Sequence, residues 1–313
     1  MVNILRLSKL LSDEYMSTRE GNHFDIDSYH YILREDTDVY TRDGKLLLKF
    51  RKKVIDKSLT DQALKSFLSA SKVLHPNRGA AAGILDRNKL PGYIGELVNQ
   101  SKFRTGYKSS ITGIKSTQLS SNLSPSNIAG YYDRGDRNLP APRPKCRLTA
   151  FNSKYPDLFE NAIPFINRCD ELFKLLVPER HQAQYDRASL APDWRIKDTA
   201  FSTLTLNYSW RTSLHRDKGD YKDGFGNLIV IEDETNTNEY SGCYFGMPQY
   251  GVCVDARTGD FLAADVHEWH ANTPFIPREA VVKGTNKMKT IINDWYFQRM
   301  SIVLYLRNDM VKC

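Results

Sequence analysis

The spacing of apolar residues changes along the chain, and each change marks a different kind of element. The first 30 residues mix apolar and polar positions without a clear period and read as an arm or a short helix. Residues 38–42 and 45–50 flank Asp43-Gly44, a pair that favours a type I′ turn, so a β-hairpin is expected there. Thr60 then offers an N-cap oxygen to a helix whose Ala63, Leu64, Phe67, Leu68 and Leu74 fall largely on one face, with Pro76 as its stop. Between 156 and 187, Leu158, Phe159, Ala162, Ile163, Ile166, Cys169, Leu172, Phe173 and Leu176 recur at steps of three and four, the helical period. Pro164 should split that run, and Pro178 should restart it as a first-turn proline.

From Ala200 onward the pattern is that of strands. Phe201, Leu204 and Leu206 lie among Thr and Ser, followed by the short apolar runs Leu228–Ile231, Cys243–Phe245 and Val252–Val254. Thr258-Gly259 makes a tight turn into 260–265, and Ser301–Leu306 is apolar enough to lie at the centre of a sheet. The stretch 99–150 has few clean periodicities and reads as loops and short elements. Helices first and many short strands after predict an α+β protein with a β-sandwich or jelly-roll core.

Composition narrows the class. The 313 residues are 41% hydrophobic with only 13 prolines, which excludes a mostly disordered or collagen-like chain. No apolar run approaches the roughly 20 residues of a membrane span, and charges interrupt any signal-peptide core in residues 1–15. No membrane association and no secretion are expected. The five cysteines form an odd set without a CxxC pair, which points to buried thiols in a reducing compartment, not to a disulfide framework or a zinc knuckle. His181 is expected on a polar helix surface, Cys243 and Cys253 inside strands, and the four tryptophans in the core or in site walls.

Charge changes the picture in one place. The net charge is +7, and residues 99–150 hold nine Lys/Arg against two acids, so this stretch carries the whole excess while the rest balances at 35 against 35. Phe103, Tyr107, Tyr131 and Tyr132 are interleaved with these cations. Such a surface suits a phosphate backbone and unstacked bases. Charge alone leaves a plain solvated loop equally open.

Candidate chemistry lies in the strand-rich half. His215-Arg216-Asp217 is an H-x-D element, and residues two apart on extended chain point to one side, so both can grip one metal. A third ligand is available in Asp265-Val266-His267-Glu268-Trp269-His270-Ala271-Asn272-Thr273-Pro274. His267 and His270 are three apart in a segment that ends in proline, so this is not the helical four-residue spacing of a zincin. Two histidines and one carboxylate suit a non-haem Fe(II) oxygenase with open coordination positions. Arg299 on the last apolar strand can hold a carboxylate in a bidentate fork, with Ser301 on the same face. A dicarboxylate such as 2-oxoglutarate answers to that arrangement. Ordinary strand residues in a sandwich remain the plain alternative.

These residues resemble the TET/J-binding-protein (TET/JBP) family of DNA dioxygenases. The resemblance rests on Ala200–Thr205, His215–Asp220, Glu268–Pro274 and Arg299–Tyr305, with further likeness at Asn77-Arg78-Gly79 and from Leu176 to Arg195, over roughly 75–307. The form is similar to the compact versions encoded by phages and bacteria. The resemblance implies a double-stranded β-helix (jelly-roll, cupin-like) core with flanking helices and an N-terminal α/β extension. Residues 1–75 are then an extension, and 76–313 a dioxygenase domain whose basic loops at 99–150 face DNA. It also implies Fe(II) on His215, Asp217 and His270, selecting His270 over His267, with 2-oxoglutarate and O2 as cosubstrates. Arg299, Ser301 and Arg78 would hold 2-oxoglutarate; Asp220 and Asn127 would meet the base; Arg134, Arg137, Arg143, Lys145 and Tyr131 would contact DNA. Asp220 stands where TET enzymes have Asn, so the residues leave thymine and 5-methylcytosine both open.

The implied activity is oxidation of the 5-methyl group of a flipped pyrimidine in DNA. A monomer is expected, in the cytoplasm of a bacterial or phage-infected cell or in a eukaryotic nucleus. Two other readings share parts of the pattern: an Fe(II)/2-oxoglutarate hydroxylase of a protein side chain or small molecule, and a non-catalytic DNA-binding module.

Overall fold

The structure, a computed structural model, describes residues 2–75, 78–86, 93–97, 107–109, 112–115, 121–133, 146–232, 240–277 and 299–313. In chain order the strands are β1 Asn3–Leu7, β2 Tyr31–Leu33, β3 Thr37–Thr41, β4 Leu46–Arg51, β5 Leu74–His75, β6 Tyr93–Leu97, β7 Tyr107–Ser109, β8 Ser124–Tyr132 and β9 Arg147–Leu148. They continue with β10 Thr203–Tyr208, β11 Gly226–Glu232, β12 Tyr240–Gly242, β13 Phe245–Met247, β14 Val252–Val254, β15 Phe261–Ala264, β16 Ala271–Asn272, β17 Phe275–Pro277 and β18 Arg299–Tyr305. The helices are α1 Asp13–Thr18, α2 Lys57–Ser71, α3 Ala150–Lys154, α4 Pro156–Asn161, α5 Ile163–Leu176 and α6 Pro178–Ser189. Among the described residues, no helix is long and apolar enough to cross a membrane.

Strand alternation builds three layers. Met300, Ile302 and Leu304 of β18 are fully buried, in one cluster with Phe67 of α2 and Phe165, Ile166 and Phe173 of α5. The intervening Ser301, Val303 and Tyr305 line a cavity on the other face. β18 is central in the large sheet, whose order is β1-β3-β4-β15-β11-β18-β10-β8-β5, with β9 paired to β8. A smaller sheet, β16-β13-β14-β2, lies over one end of it. A second cluster joins the two, with Leu48, Phe50, Val230 and Leu262 from the large sheet and Phe245, Met247, Val252 and Val254 from the small one. Two facing sheets flanked by helices make the expected jelly-roll core of an α+β fold.

The N-terminal segment is woven into both sheets. β1 pairs in parallel with β3, β4 joins β15, and β2 pairs in parallel with β14. The first 30 residues therefore supply a strand as well as the short α1.

Local chemistry shifts several expected boundaries. In the β3–β4 hairpin only Gly44 takes a positive φ, +93°, whereas a type I′ turn needs two such residues. Gly44 N–H donates to Thr41 O at 3.1 Å and Thr41 N–H to Lys45 O at 2.8 Å, giving a three-residue loop with a left-handed glycine. α2 starts three residues before Thr60; Asp56 precedes it and the Thr60 hydroxyl donates back to Lys57 O at 2.9 Å. The helix ends at Ser71, and Leu74 lies exposed on the edge strand β5. The expected stop, Pro76, lies outside the described residues. Pro164 and Pro178 open α5 and α6 from their first turns, as their fixed φ predicts.

Three further expectations are corrected. Residues 124–132, expected as loop, form the nine-residue strand β8, whose Ser and Asn content hides its period. His181 is buried, with Nε2 3.1 Å from Asp170 Oδ1, so a satisfied acid partner allows a histidine on a polar helix to face inward. Cys146 and Cys313, 167 residues apart, form a disulfide with Cα atoms 5.7 Å apart, while Cys169, Cys243 and Cys253 are buried thiols. Cys243 itself lies outside the strands, at φ +50°.

Candidate metal centre and cavity

The H-x-D element sits in the loop after β10, held in place before its side chains meet anything. Ser213 Oγ donates to Ala80 O at 2.6 Å, fixing the residue two before His215. His215 and His270 then exchange two backbone hydrogen bonds, N–H to O at 3.0 Å in each direction. Asp217 N–H donates to Val266 O at 3.0 Å, which joins the same two segments again. Backbone bonds thus bring the segment carrying His215 and Asp217 against the one carrying His270, and the three side chains share one frame.

Side-chain geometry completes the frame. His215 Nδ1 lies 2.7 Å from Ser213 O and His270 Nδ1 3.0 Å from Glu268 O. A carbonyl only accepts, so each Nδ1 carries the proton and each Nε2 is left with its lone pair. Those Nε2 atoms lie 3.8 and 3.6 Å from the Asp217 carboxylate oxygens, and the three ligand atoms fall within 4.8 Å of one another. The imidazole rings are 4.2 Å apart, with Phe245 stacked on His270 at 5.4 Å. Burial first, and then the neighbouring His270, pushes the His215 pKa down to about 4, so the ring is neutral at neutral pH. Two imidazoles whose Nδ1–H groups are held by carbonyls, beside a carboxylate, are the donor set a divalent iron needs.

The triad opens into a cavity of about 760 Å³. Its floor is the polar face of the large sheet: Ser126 of β8, Thr205 and Asn207 of β10, and Ser301, Val303 and Tyr305 of β18. Arg78 reaches it from the upstream turn and donates to Thr205 Oγ1 at 3.3 Å. At one end stands a charged group. Arg307 lies 3.1 Å from Asp133 and 3.8 Å from Asp220, with its guanidinium 5.6 Å from the Tyr132 ring. Burial, and then the charge of Asp217, pushes the Asp220 carboxyl well above the ordinary range, with Arg307 pulling it back.

The sequence profile of the oxygenase domain of the 2OGFeDO superfamily (Tet_JBP) matches residues 127–308. The chain belongs to the TET/JBP oxygenase family. Among its relatives, thymine dioxygenase JBP1 of Trypanosoma brucei brucei is 32% identical over 208 residues, which is 65% of this chain and 23% of that protein. The bifunctional helicase and thymine dioxygenase JBP2 of Leishmania braziliensis is 32% identical over 185 residues, 59% of this chain and 14% of that one. The chain thus corresponds to less than a quarter of these relatives' length. The solved structure of NgTET1 in complex with 5mC DNA matches at a TM-score of 0.52 and 12% identity, covering 96% of this chain and 92% of that one, a likeness of fold.

Within this TET/JBP oxygenase domain the other expected residues are distributed unevenly. Ser301, Arg78 and Asp220 line the cavity with the triad. Arg299 extends the Ser301 face by one step and is buried, but it is not among the lining residues. Burial works against its charge, and Cys243, Tyr240 and Glu232 more than offset that, holding its pKa above the usual arginine value. Asn127 also lines the cavity, with its amide donating to Ala70 O of α2 at 3.3 Å. Tyr131 packs edge-on against Trp194 at 5.7 Å, and its neighbour Tyr132 lines the cavity instead. Arg134, Arg137, Arg143 and Lys145 lie outside the described residues, as does Asn77. His267 faces Tyr221 O at 3.1 Å, apart from the triad.

Sequence reading missed His75, Ser126, Thr205, Asn207, Tyr305 and Arg307 in the cavity wall. A signal existed for some of them. Positions 299, 301, 303, 305 and 307 share one strand face, and Thr205 and Asn207 are the polar alternates of a strand otherwise apolar.

Proposed function

We propose that this domain oxidises the 5-methyl group of a pyrimidine in DNA, with thymine as the first substrate to test. Iron held by His215, Asp217 and His270, together with 2-oxoglutarate and O2, supplies the chemistry that turns a methyl C–H into C–OH, with succinate and CO2 as coproducts. The observation that carries the reading is the triad at the wall of a cavity of about 760 Å³ with a polar sheet floor. Thymine is placed first because the two relatives described above are named thymine dioxygenases.

The chain's own residues divide the work. Ser301 and Arg78, with Arg299 behind them, offer donors and positive charge to a dicarboxylate. Asp220, near Arg307, offers a carboxyl to the edge of a base. A methyl stacked in a duplex cannot reach the triad, so the nucleotide is extruded at a cost of a few kcal/mol. The basic segment 99–150 offsets part of that cost through phosphate contacts.

The test is incubation with matched DNA containing thymine or 5-methylcytosine, Fe(II) and 2-oxoglutarate, followed by nucleoside mass spectrometry. A 5-hydroxymethyl pyrimidine is expected, lost when His215→Ala and Asp217→Ala are combined. Absence of any oxidised base, with succinate still formed on another substrate class, would overturn the reading.

A further inference from the structure

A line of polar side chains crosses the middle of the large sheet where apolar residues would pack more favourably. Ser126, Asn207 and Ser301 are cross-strand partners on β8, β10 and β18, with Asn207 in register with both serines. They are 0%, 8% and 7% exposed. Ser126 Oγ donates to Asn207 Oδ1 at 2.7 Å. That bond fixes which way the amide faces and turns Nδ2 toward the cavity that all three residues line. Among the described residues, neither Asn207 Nδ2 nor Ser301 Oγ meets a hydrogen-bond partner. Both atoms belong to residues that line the cavity and neither is sealed from it, so a ligand that enters can complete their hydrogen bonds.

The position of the row says which ligand. Asn207 and Ser301 lie at the Arg299 end of β18, where Ser209 N–H also donates to Arg299 O at 2.7 Å. Asp220, Arg307 and Tyr132 lie at the opposite end. Donors beside a buried arginine suit an anion with carboxylate oxygens, whereas the mixed acid and base groups at the far end suit a neutral nucleobase. We propose that Asn207 donates its amide N–H to a carboxylate of 2-oxoglutarate, and that Ser126 is a positioning residue that locks the amide in the donating orientation. This rests on the function proposed above and adds two residues to its cosubstrate site.

Asn207→Asp keeps the shape and replaces a donor with an acceptor that repels a carboxylate. The experiment is calorimetric titration of 2-oxoglutarate into the full chain loaded with Fe(II) under nitrogen, with a parallel Co(II) titration of the metal-free protein. Asn207→Asp should weaken 2-oxoglutarate binding at least tenfold and Ser126→Ala about threefold, each leaving the Co(II) affinity within twofold of the unchanged chain. In turnover, KM for 2-oxoglutarate should rise while KM for DNA holds. Equal 2-oxoglutarate affinity in Asn207→Asp and the unchanged chain overturns the proposal and leaves the proposed function standing. A parallel loss of Co(II) affinity makes the effect structural and also overturns it. Failure of the unchanged chain to bind 2-oxoglutarate overturns the proposed function itself.

Discussion

His215 and His270 donate their backbone N–H groups to each other's carbonyl oxygens, both at 3.0 Å, and their rings lie 4.2 Å apart. The two candidate nitrogen ligands are therefore set by backbone geometry. Asp217, 34% exposed at its side chain, is the least constrained member.

Asp217→Ala removes the only charged ligand of the triad and leaves the histidine frame in place. Co(II) affinity should fall at least about 100-fold, the upper end of what losing an outer partner of a metal site costs. Calorimetric titration of the metal-free protein measures this, and circular dichroism should be unchanged. Retention of the original affinity would show that the triad is not the metal site.

Lys45 ties the N-terminal hairpin to the loop that carries His270. Its Nζ lies 2.9 Å from Asp265 and 2.5 Å from Glu268, and Glu268 also accepts from the Tyr250 hydroxyl at 3.1 Å. Lys45 is 40% exposed, so the direct stability effect of Lys45→Ala should be small, about 1 kcal/mol or less. A thermal melt checks that value. Loss of metal affinity beyond a few-fold would mean that the hairpin also tunes the metal loop.

The disulfide gives a direct count. Under denaturing, non-reducing conditions a thiol reagent should label three cysteines, Cys169, Cys243 and Cys253, and five after reduction. Closing 167 residues into one loop constrains the unfolded chain by about 5 kcal/mol in the chain-entropy picture. Reduction should accordingly lower the thermal midpoint. Five labelled thiols without reductant would show that the pair is open.

Much of the site was legible because its chemistry needs particular residue types at particular spacings. The H-x-D element and the inward face of the last strand follow from such constraints, whereas the choice of His270 over His267 rests on the likeness of Glu268–Pro274 to the family pattern. β8 was not legible, since a strand that lines a polar cavity replaces apolar alternates with Ser126 and its neighbours. The disulfide and the buried His181–Asp170 pair depend on residues brought together only by the fold. Tyr132 was passed over for Tyr131 because the two differ only in which sheet face they take.

Acid should weaken the metal-free protein through His215. Its folded pKa of about 4 lies below the ordinary 6.5, so the native state favours the neutral ring. The stabilising contribution is complete above pH 6.5 and is lost as pH falls toward 4, by about 2 kcal/mol at pH 5. Urea unfolding at pH 7 and pH 5 measures the difference, and His215→Gln should flatten it. An unchanged slope in that variant would assign the acid sensitivity to other groups.

Arg307 is shared by two buried acids, and that sharing predicts how its loss is felt. It lies 3.1 Å from Asp133 and 3.8 Å from Asp220, and both carboxylates are largely buried. Removing one partner of a buried pair leaves an uncompensated charge, at about 3–5 kcal/mol. Arg307→Met should therefore destabilise by that amount at pH 7. Adding Asp133→Asn removes the stranded charge and should recover part of the loss, which a double-mutant cycle in urea reports. Additive losses in the double variant would mean that Arg307 and Asp133 are not coupled. Because Asp220 keeps its proton more readily than an ordinary carboxyl, its share of the penalty should be the smaller one.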